Sequence, residues 1–161
     1  MARFIKKQQK EIGASPDDLI FIGKKKEENT ILRIIDYDKN SLEETPINSV
    51  KEALAYQQKK STTWFNVDGI DKTEIMQEIA EGFQFDHFVI ADVMNTNARP
   101  KAQENDNCLF LSIKMLQLNE NSNLISFENL SIIITKSVLL SFQEKVGDVF
   151  EPVRSRIRKQ K

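Results

Sequence analysis

Between Asn107 and Glu144 the chain carries two long runs of β-type residues, "NCLFLSIKMLQLN" (107–119) and "LISFENLSIIITKSVLLSFQE" (124–144). The polar stretch "ENSN" between them predicts a hairpin, and "TKS" at 135–137 predicts a second reversal. Upstream, "LIFIG" (19–23) and "TILRIIDY" (30–37) read as two strands joined by the charged turn "KKKEEN". "TWFNVDG" (63–69) is rich in aromatic and β-branched residues and predicts a strand ending at Gly69. The period changes at "DKTEIMQEIAEGF" (71–83), where Ile75, Met76 and Ile79 recur at helical spacing, with Gly82 near the end. Asp86 is placed to cap a second short helix, "HFVIADVMN" (87–95). Segment 38–60 is polar, contains Pro46, and predicts one short helix around "NSVKEALAYQQ". A last helix begins near Gly147–Asp148. Its residues Val149, Phe150, Val153 and Ile157 form an apolar stripe expected to dock on the sheet, with Arg154, Arg156, Arg158 and Lys159 on the solvated remainder.

The order of strands and helices is not a strict βαβ alternation. It predicts an α/β (α+β) fold with a mixed parallel and antiparallel sheet and helices on at least one face. Ile132, Ile133, Ile134, Leu139 and Leu140 are expected in the central strands, with Phe110 and Ile113 nearby. The chain divides into a mobile arm (1–15), an α/β domain (16–146) and the start of a helix (147–161).

At 161 residues the chain suits one domain, which can bury about two thirds of its unfolded surface without a covalent staple. Its single cysteine, Cys108, allows no internal disulfide and fits a reducing compartment. No apolar run approaches the roughly 18 residues of a membrane helix; the longest candidate, Leu130–Leu140, is broken by Thr135, Lys136 and Ser137. The basic opening "MARFIKKQQK" lacks the apolar core of a secretory signal. A soluble, cytosolic piece of protein is expected. The net charge of −1 conceals an asymmetry: residues 1–153 carry a balance of −6 and residues 154–161 one of +5. An acidic body argues against a nucleic-acid surface and fits a divalent cation or a charge-complementary partner better.

Enzyme chemistry finds little footing. The five glycines stand singly, so no phosphate-cradling loop can be assembled. His87 is a lone histidine in a first helical turn, a place for packing or capping, and with Cys108 it cannot make a zinc set. Cys108 lies in an apolar strand pattern and reads as a buried structural thiol. Carboxylates are the remaining candidates: Asp36, Asp38, Asp68, Asp71, Asp86, Asp92, Glu104, Asp106, Asp148 and Glu151. Capping, turns and the helix dipole account for Asp68, Asp71, Asp86 and Asp148. Asp92 stands apart, because it sits inside a helix among Ile90, Val93 and Met94 with no capping role; the alternative is a solvated helix face. In "RPK" (99–101), Pro100 holds Arg99 extended and leads from helix to strand; Arg99 is a candidate to bind an anion or, the commoner outcome, to pair with an acid such as Asp92 or Glu104.

Taken together, "TWFNVDGI", "DHFVIADVMNTNARPK", "FLSIKML" and "SIIITKSVLLSFQEKVGDVFEPVRSRIR" resemble the cytoplasmic N-terminal domain of the CorA family of magnesium and cobalt transport proteins, over about residues 62–158. The resemblance implies an α/β/α sandwich whose sheet is flanked by helices, ending in the start of a long stalk helix. It implies a homopentamer in the full-length protein, membrane contact only through C-terminal helices beyond this chain, and a cytoplasmic position at the inner membrane. It implies no enzymatic activity and no nucleic-acid partner. The fragment alone is expected as a monomer or weak oligomer. In this family an acid at the position of Asp92, often preceded by a second acid, helps hold a regulatory magnesium ion between subunits. Here the preceding residue is Ala91, so a second cation at that place is in doubt. The alternatives are a zinc transporter of the same superfamily or a standalone α/β interaction module.

Overall fold

The computed structural model describes residues 18–26, 29–119, 124–147 and 149–159. The expected arm at 1–15 and Asp148 lie outside them. Seven strands form one sheet in the order β2-β1-β3-β7-β6-β5-β4. They are β1 (Ile31–Tyr37), β2 (Leu42–Ile47), β3 (Thr62–Asp68), β4 (Lys101–Asn105), β5 (Cys108–Asn119), β6 (Leu124–Ile134) and β7 (Val138–Gln143). Only β3 and β7 pair in parallel; every other pairing is antiparallel, which makes the sheet mixed, as expected. Four helices accompany it: α1 (Val50–Leu54), continued by a 3₁₀ turn, α2 (Thr73–Phe83), α3 (His87–Val93) and α4 (Glu151–Arg158).

Strand register explains the core. Ile34, Phe65, Leu140, Ile133 and Phe110 are successive cross-strand partners, and all five are fully buried. This row faces α1, α2 and α3, which contribute Val50, Ala53, Met76, Ile79, Phe83, Val89 and Ile90 to the same cluster. Phe65 stacks on Phe83 at 6.1 Å between ring centroids. Successive strand residues point to opposite faces, so Trp64 looks the other way. There it meets Phe150 edge-on at 5.3 Å, and the Arg154 guanidinium lies 5.5 Å over its ring. Helices therefore flank both faces.

The alternation also corrects the expected core. Ile133 and Leu140 are buried on the helical face, but Ile134 is 37% exposed and Ile113 44% exposed, because both project to the face that α4 only partly covers. A run of three isoleucines cannot put all three on one side of a sheet. Two edge strands went unread in the sequence: β2, "LEETPI", and β4, "KAQEN". Both are polar and exposed, and β2 contains Pro46, features suited to sheet edges that must not recruit other chains. Conversely, "LIFIG" is not a sheet strand. Ile22 instead bridges Asn95 beyond α3, donating its N–H to Met94 O at 3.0 Å and accepting from Thr96 N at 2.9 Å.

The last helix corrects a further expectation. Its inward residues are Phe150 and Arg154, while Val149 and Val153 are exposed. The surface beneath it is polar, holding buried Asn66, Asp68, Ser141 and Gln143, and so accepts a guanidinium better than an aliphatic stripe. Arg154 is only 4% exposed, and Arg158 pairs with Glu44 at 2.8 Å and with Glu151. Of the basic residues Arg154 is thus part of the docking surface, Arg158 reaches Glu44 from an exposed position, and Arg156 and Lys159 face solvent as expected.

Gly69 ends β3 as expected, with φ 86°, where a side chain is strained. Its N–H donates to Gln143 O at 2.9 Å and its carbonyl accepts from Thr30 Oγ1 at 3.0 Å, so the turn cannot relax freely. Gly69→Ala is expected to cost about 1–2 kcal/mol of stability in a urea titration.

Candidate functional site

The site is built on α3 and the strand that follows it. Asp86 caps α3 by accepting the Phe88 N–H at 2.8 Å on Oδ1, as the sequence predicted. Val89, Ile90 and Val93 turn into the core, which leaves Phe88, Ala91 and Asp92 on the outer side. Phe88 is 67% exposed and lies one helical turn before Asp92. Asp92 itself is half-buried. Its Oδ2 accepts from Lys101 Nζ at 2.5 Å, and the same ammonium reaches Gln103 Oε1 at 3.3 Å and lies 5.5 Å over the Phe110 ring.

Lys101, not Arg99, is therefore the partner of Asp92. The physical reason is the Pro100 bend: it ends the loop in extended backbone, so the residue after proline enters β4 beside α3 while Arg99 projects to solvent. The sequence held the signal in "RPK", but nothing in it chose between the two cations. Ala91, at the position of a possible second acid, offers no ligand. Among the described residues no group of three or more His, Cys, Asp or Glu side chains is arranged to hold a metal ion. Asp92 can supply one carboxylate, already matched by one ammonium.

The other candidate acids have local duties. Asp36 accepts from Thr63 Oγ1 at 2.6 Å, from Ser61 Oγ at 2.8 Å and from Lys59 Nζ at 3.2 Å. Asp38 closes a turn through Asn40 N and Ser41 N, bonds that hold its carboxyl below the usual range. Asp71 pairs with Lys25, and Glu151 opens α4 and pairs with Arg158. Glu104 and Asp106 are exposed and line an open groove with His87 and Asp86. Cys108 is buried, and burial pushes its thiol up, against nucleophilic use.

A buried acid pair, Glu128 and Glu144, was missed by sequence reasoning because each lies within a β-type run. Glu144 accepts from Asn129 N at 2.6 Å and pairs with Lys26 at 2.7 Å; Glu128 accepts from Lys145 N at 3.1 Å. Burial pushes the Glu128 carboxyl up, with Glu144 adding to the effect. A raised native value means the native state holds this proton more tightly than the unfolded chain. The stability it contributes is full below the unfolded value near 4.3 and is lost as pH rises through the native one. Glu128→Gln is accordingly expected to raise the melting temperature at neutral pH, and the gain should vanish by about pH 4.

This geometry can be set beside known proteins. The family model described as "CorA-like Mg2+ transporter protein" matches residues 59–161, which contain α3, Asp92, Lys101 and α4. The chain belongs to the CorA-like Mg2+ transporter family. The cobalt/magnesium transport protein CorA of Thermotoga maritima is 35% identical over 146 residues, 91% of this chain and 41% of that protein. The chain thus spans about two fifths of that curated relative's length. In structure, the full-length CmaX protein superposes with a TM-score of 0.64 at 10% identity, over 84% of this chain and 41% of that one. The soluble domain of CorA from Methanocaldococcus jannaschii gives 0.54 at 14% identity, over 80% and 47%. These two likenesses show that the fold, a mixed sheet with helices, is shared with CmaX and with that CorA soluble domain. Among the described residues no helix is long and apolar enough to cross a membrane.

Proposed function

We propose that this chain is the cytoplasmic regulatory domain of a CorA-type transporter of magnesium and cobalt, part of a homopentamer on the inner face of the membrane. The observation that carries the reading is the 35% identity, over nearly the whole chain, to a cobalt/magnesium transport protein. Asp92 is the residue we assign to regulation. It is a carboxylate on the outer side of a short helix, beside an exposed aromatic, where a neighbouring subunit can approach. Magnesium suits such a place, since it prefers carboxylate oxygen and keeps several of its waters. The further acids come from a neighbouring chain, because among the described residues no group of three or more His, Cys, Asp or Glu side chains is placed to hold a cation and the residue before Asp92 is Ala91. Bound cation would offset the repulsion of converging carboxylates and favour a closed assembly; its loss would release that assembly.

Lys101 gives the mechanism a second part. An ammonium on Asp92 occupies the carboxylate when no cation is bound, so magnesium must displace it. The domain by itself, with one matched carboxylate, is expected to bind magnesium at millimolar concentration or more weakly. The reading is tested by magnesium influx and by magnesium protection against proteolysis, comparing a full-length transporter carrying this domain with its Asp92→Asn form. An unchanged magnesium dependence in both assays would make Asp92 a surface acid.

A further inference from the structure

The loop from Asn95 to Pro100 joins the two members of the Asp92–Lys101 pair, so its shape helps to set their spacing. Thr96 stands four residues after Asp92 and five before Lys101, and it is buried. It is held from two sides. On the side of the amino-terminal segment, its N–H donates to Ile22 O at 2.9 Å and its Oγ1 donates to the same carbonyl at 3.2 Å. There it also sits against Gly23, where an added Cβ would lie 2.5 Å from Thr96 Oγ1. On the side of the sheet, its carbonyl accepts from Lys114 Nζ on β5 at 2.6 Å. Among the described residues that is the one hydrogen bond by which a strand side chain holds this loop.

Lys114 is aimed as well as charged. Its ammonium also donates to Asn129 Oδ1 at 3.0 Å. Asn129 is buried, and its side chain has no freedom to turn away. Its Oδ1 accepts from Ser112 Oγ at 3.3 Å and its Nδ2 donates to Ser131 Oγ at 3.3 Å. The Asn129 N–H donates to Glu144 Oε1 at 2.6 Å, and that carboxylate is taken up by Lys26 at 2.7 Å. Lys114 thus turns its donors on two neutral oxygens, where hydrogen-bond direction and not charge pairing decides what it holds. The same strand supplies the other reference point. Lys101 lies opposite Ser112 in the β4–β5 pairing, and Ser112 shares a face of β5 with Lys114 two residues on. β5 therefore fixes both sides of the spacing: Lys101 through the ladder, and the carboxyl-terminal end of α3 through Thr96.

We infer that Lys114 is a positioning residue for the Asp92 site: through the Thr96 carbonyl it holds the end of α3, and Asp92 with it, at a fixed spacing from Lys101. It supplies no ligand and acts only through Asp92. The part of the inference that concerns a cation rests on the reading of Asp92 proposed above; the part that concerns the loop does not. A carboxylate held in this way is already ordered when a cation arrives. Without Lys114 the end of α3 samples other positions, and apparent affinity falls with the fraction of time the carboxylate is in place.

Hydrogen–deuterium exchange of the 161-residue chain, followed residue by residue by NMR, tests the loop. Lys114→Met keeps the apolar stem and removes the donor. The Thr96 and Ala98 amides, both hydrogen-bonded in the parent, should then exchange at least about tenfold faster relative to those of Phe65 and Leu140 in the central strands. A domain that was merely destabilised would speed all four alike. Gly23→Ala, which presses on Thr96 from the other side, should speed the same two amides. Lys136→Gln, which removes an exposed lysine at the β6–β7 turn, should not. In a full-length transporter carrying the domain, Lys114→Met should raise the magnesium needed for protection against proteolysis by roughly threefold or more, whereas Lys101→Gln should lower it. If Asp92→Asn itself leaves protection unchanged, the cation reading of Asp92 fails, and exchange at Thr96 alone decides whether Lys114 holds the loop. Unchanged exchange at Thr96 and Ala98 in Lys114→Met would overturn the inference. So would faster exchange with an unaltered magnesium dependence in a transporter whose Asp92→Asn form has lost it.

Discussion

Phe65→Ala is expected to remove about 3–5 kcal/mol of stability, among the largest losses of any single truncation in this domain. Phe65 is fully buried on β3, paired with Ile34 on one side and Leu140 on the other, and stacked on Phe83 of α2. Its removal leaves a cavity bounded on one side by strands, which are fixed by their ladders and cannot close in. The companion measurement separates neighbours in sequence. Ile133→Ala, fully buried, should cost about 2–5 kcal/mol, whereas Ile134→Ala, more than a third exposed, should cost well under half as much. Urea titrations of the three variants check this. Equal losses at 133 and 134 would mean that the sheet does not present opposite faces to the helices as described.

The second large effect concerns magnesium. In a full-length transporter carrying the domain, Asp92→Asn should abolish most of the magnesium-dependent protection of the cytosolic region, since the amide keeps the shape and loses the charge. Lys101→Gln should act in the opposite sense. On the proposed reading it removes the ammonium that magnesium would displace, so protection should appear at lower magnesium, by a factor of roughly two to five. That factor corresponds to the up to ~1 kcal/mol a solvent-screened ion pair holds, and a larger one is not expected from a pair that is only half-buried. Opposite shifts from the two partners separate a cation site from a merely structural pair, because breaking a structural pair from either side loosens the helix alike. Parallel loss of protection in both variants would count against the cation reading.

How much of this was legible beforehand follows from which forces are local. The long strands, the reversal at 135–137, the Asp86 cap and the turn at Gly69 were readable because each is decided by neighbours in sequence: alternation, a capping carboxylate, a backbone angle only glycine adopts easily; the reversal expected at 120–123 lies outside the described residues. The family motifs, read from residues 62–158, were legible for the same reason, as an ordered string. Asp92 also stood out locally, an aspartate inside a helix with no end to cap.

The rest required the assembled sheet. Edge strands such as "KAQEN" carry no apolar alternation, since their identity comes from the strand beside them and not from their own side chains. The partner of Asp92 was decided by where Pro100 delivers the chain, a matter of ångströms that separates Lys101 from Arg99. The buried position of α4 went to Arg154 because strands from the middle of the chain set a polar floor beneath it, and hydrophobic periodicity knows nothing of that floor. Composition and spacing thus determined the element types and the α+β class, because those depend on short-range preference, while the ordered motifs carried the resemblance to the family. Which isoleucine is core and which cation meets Asp92 were settled only by tertiary contact, where residues distant in sequence compete for the same space and the same charge.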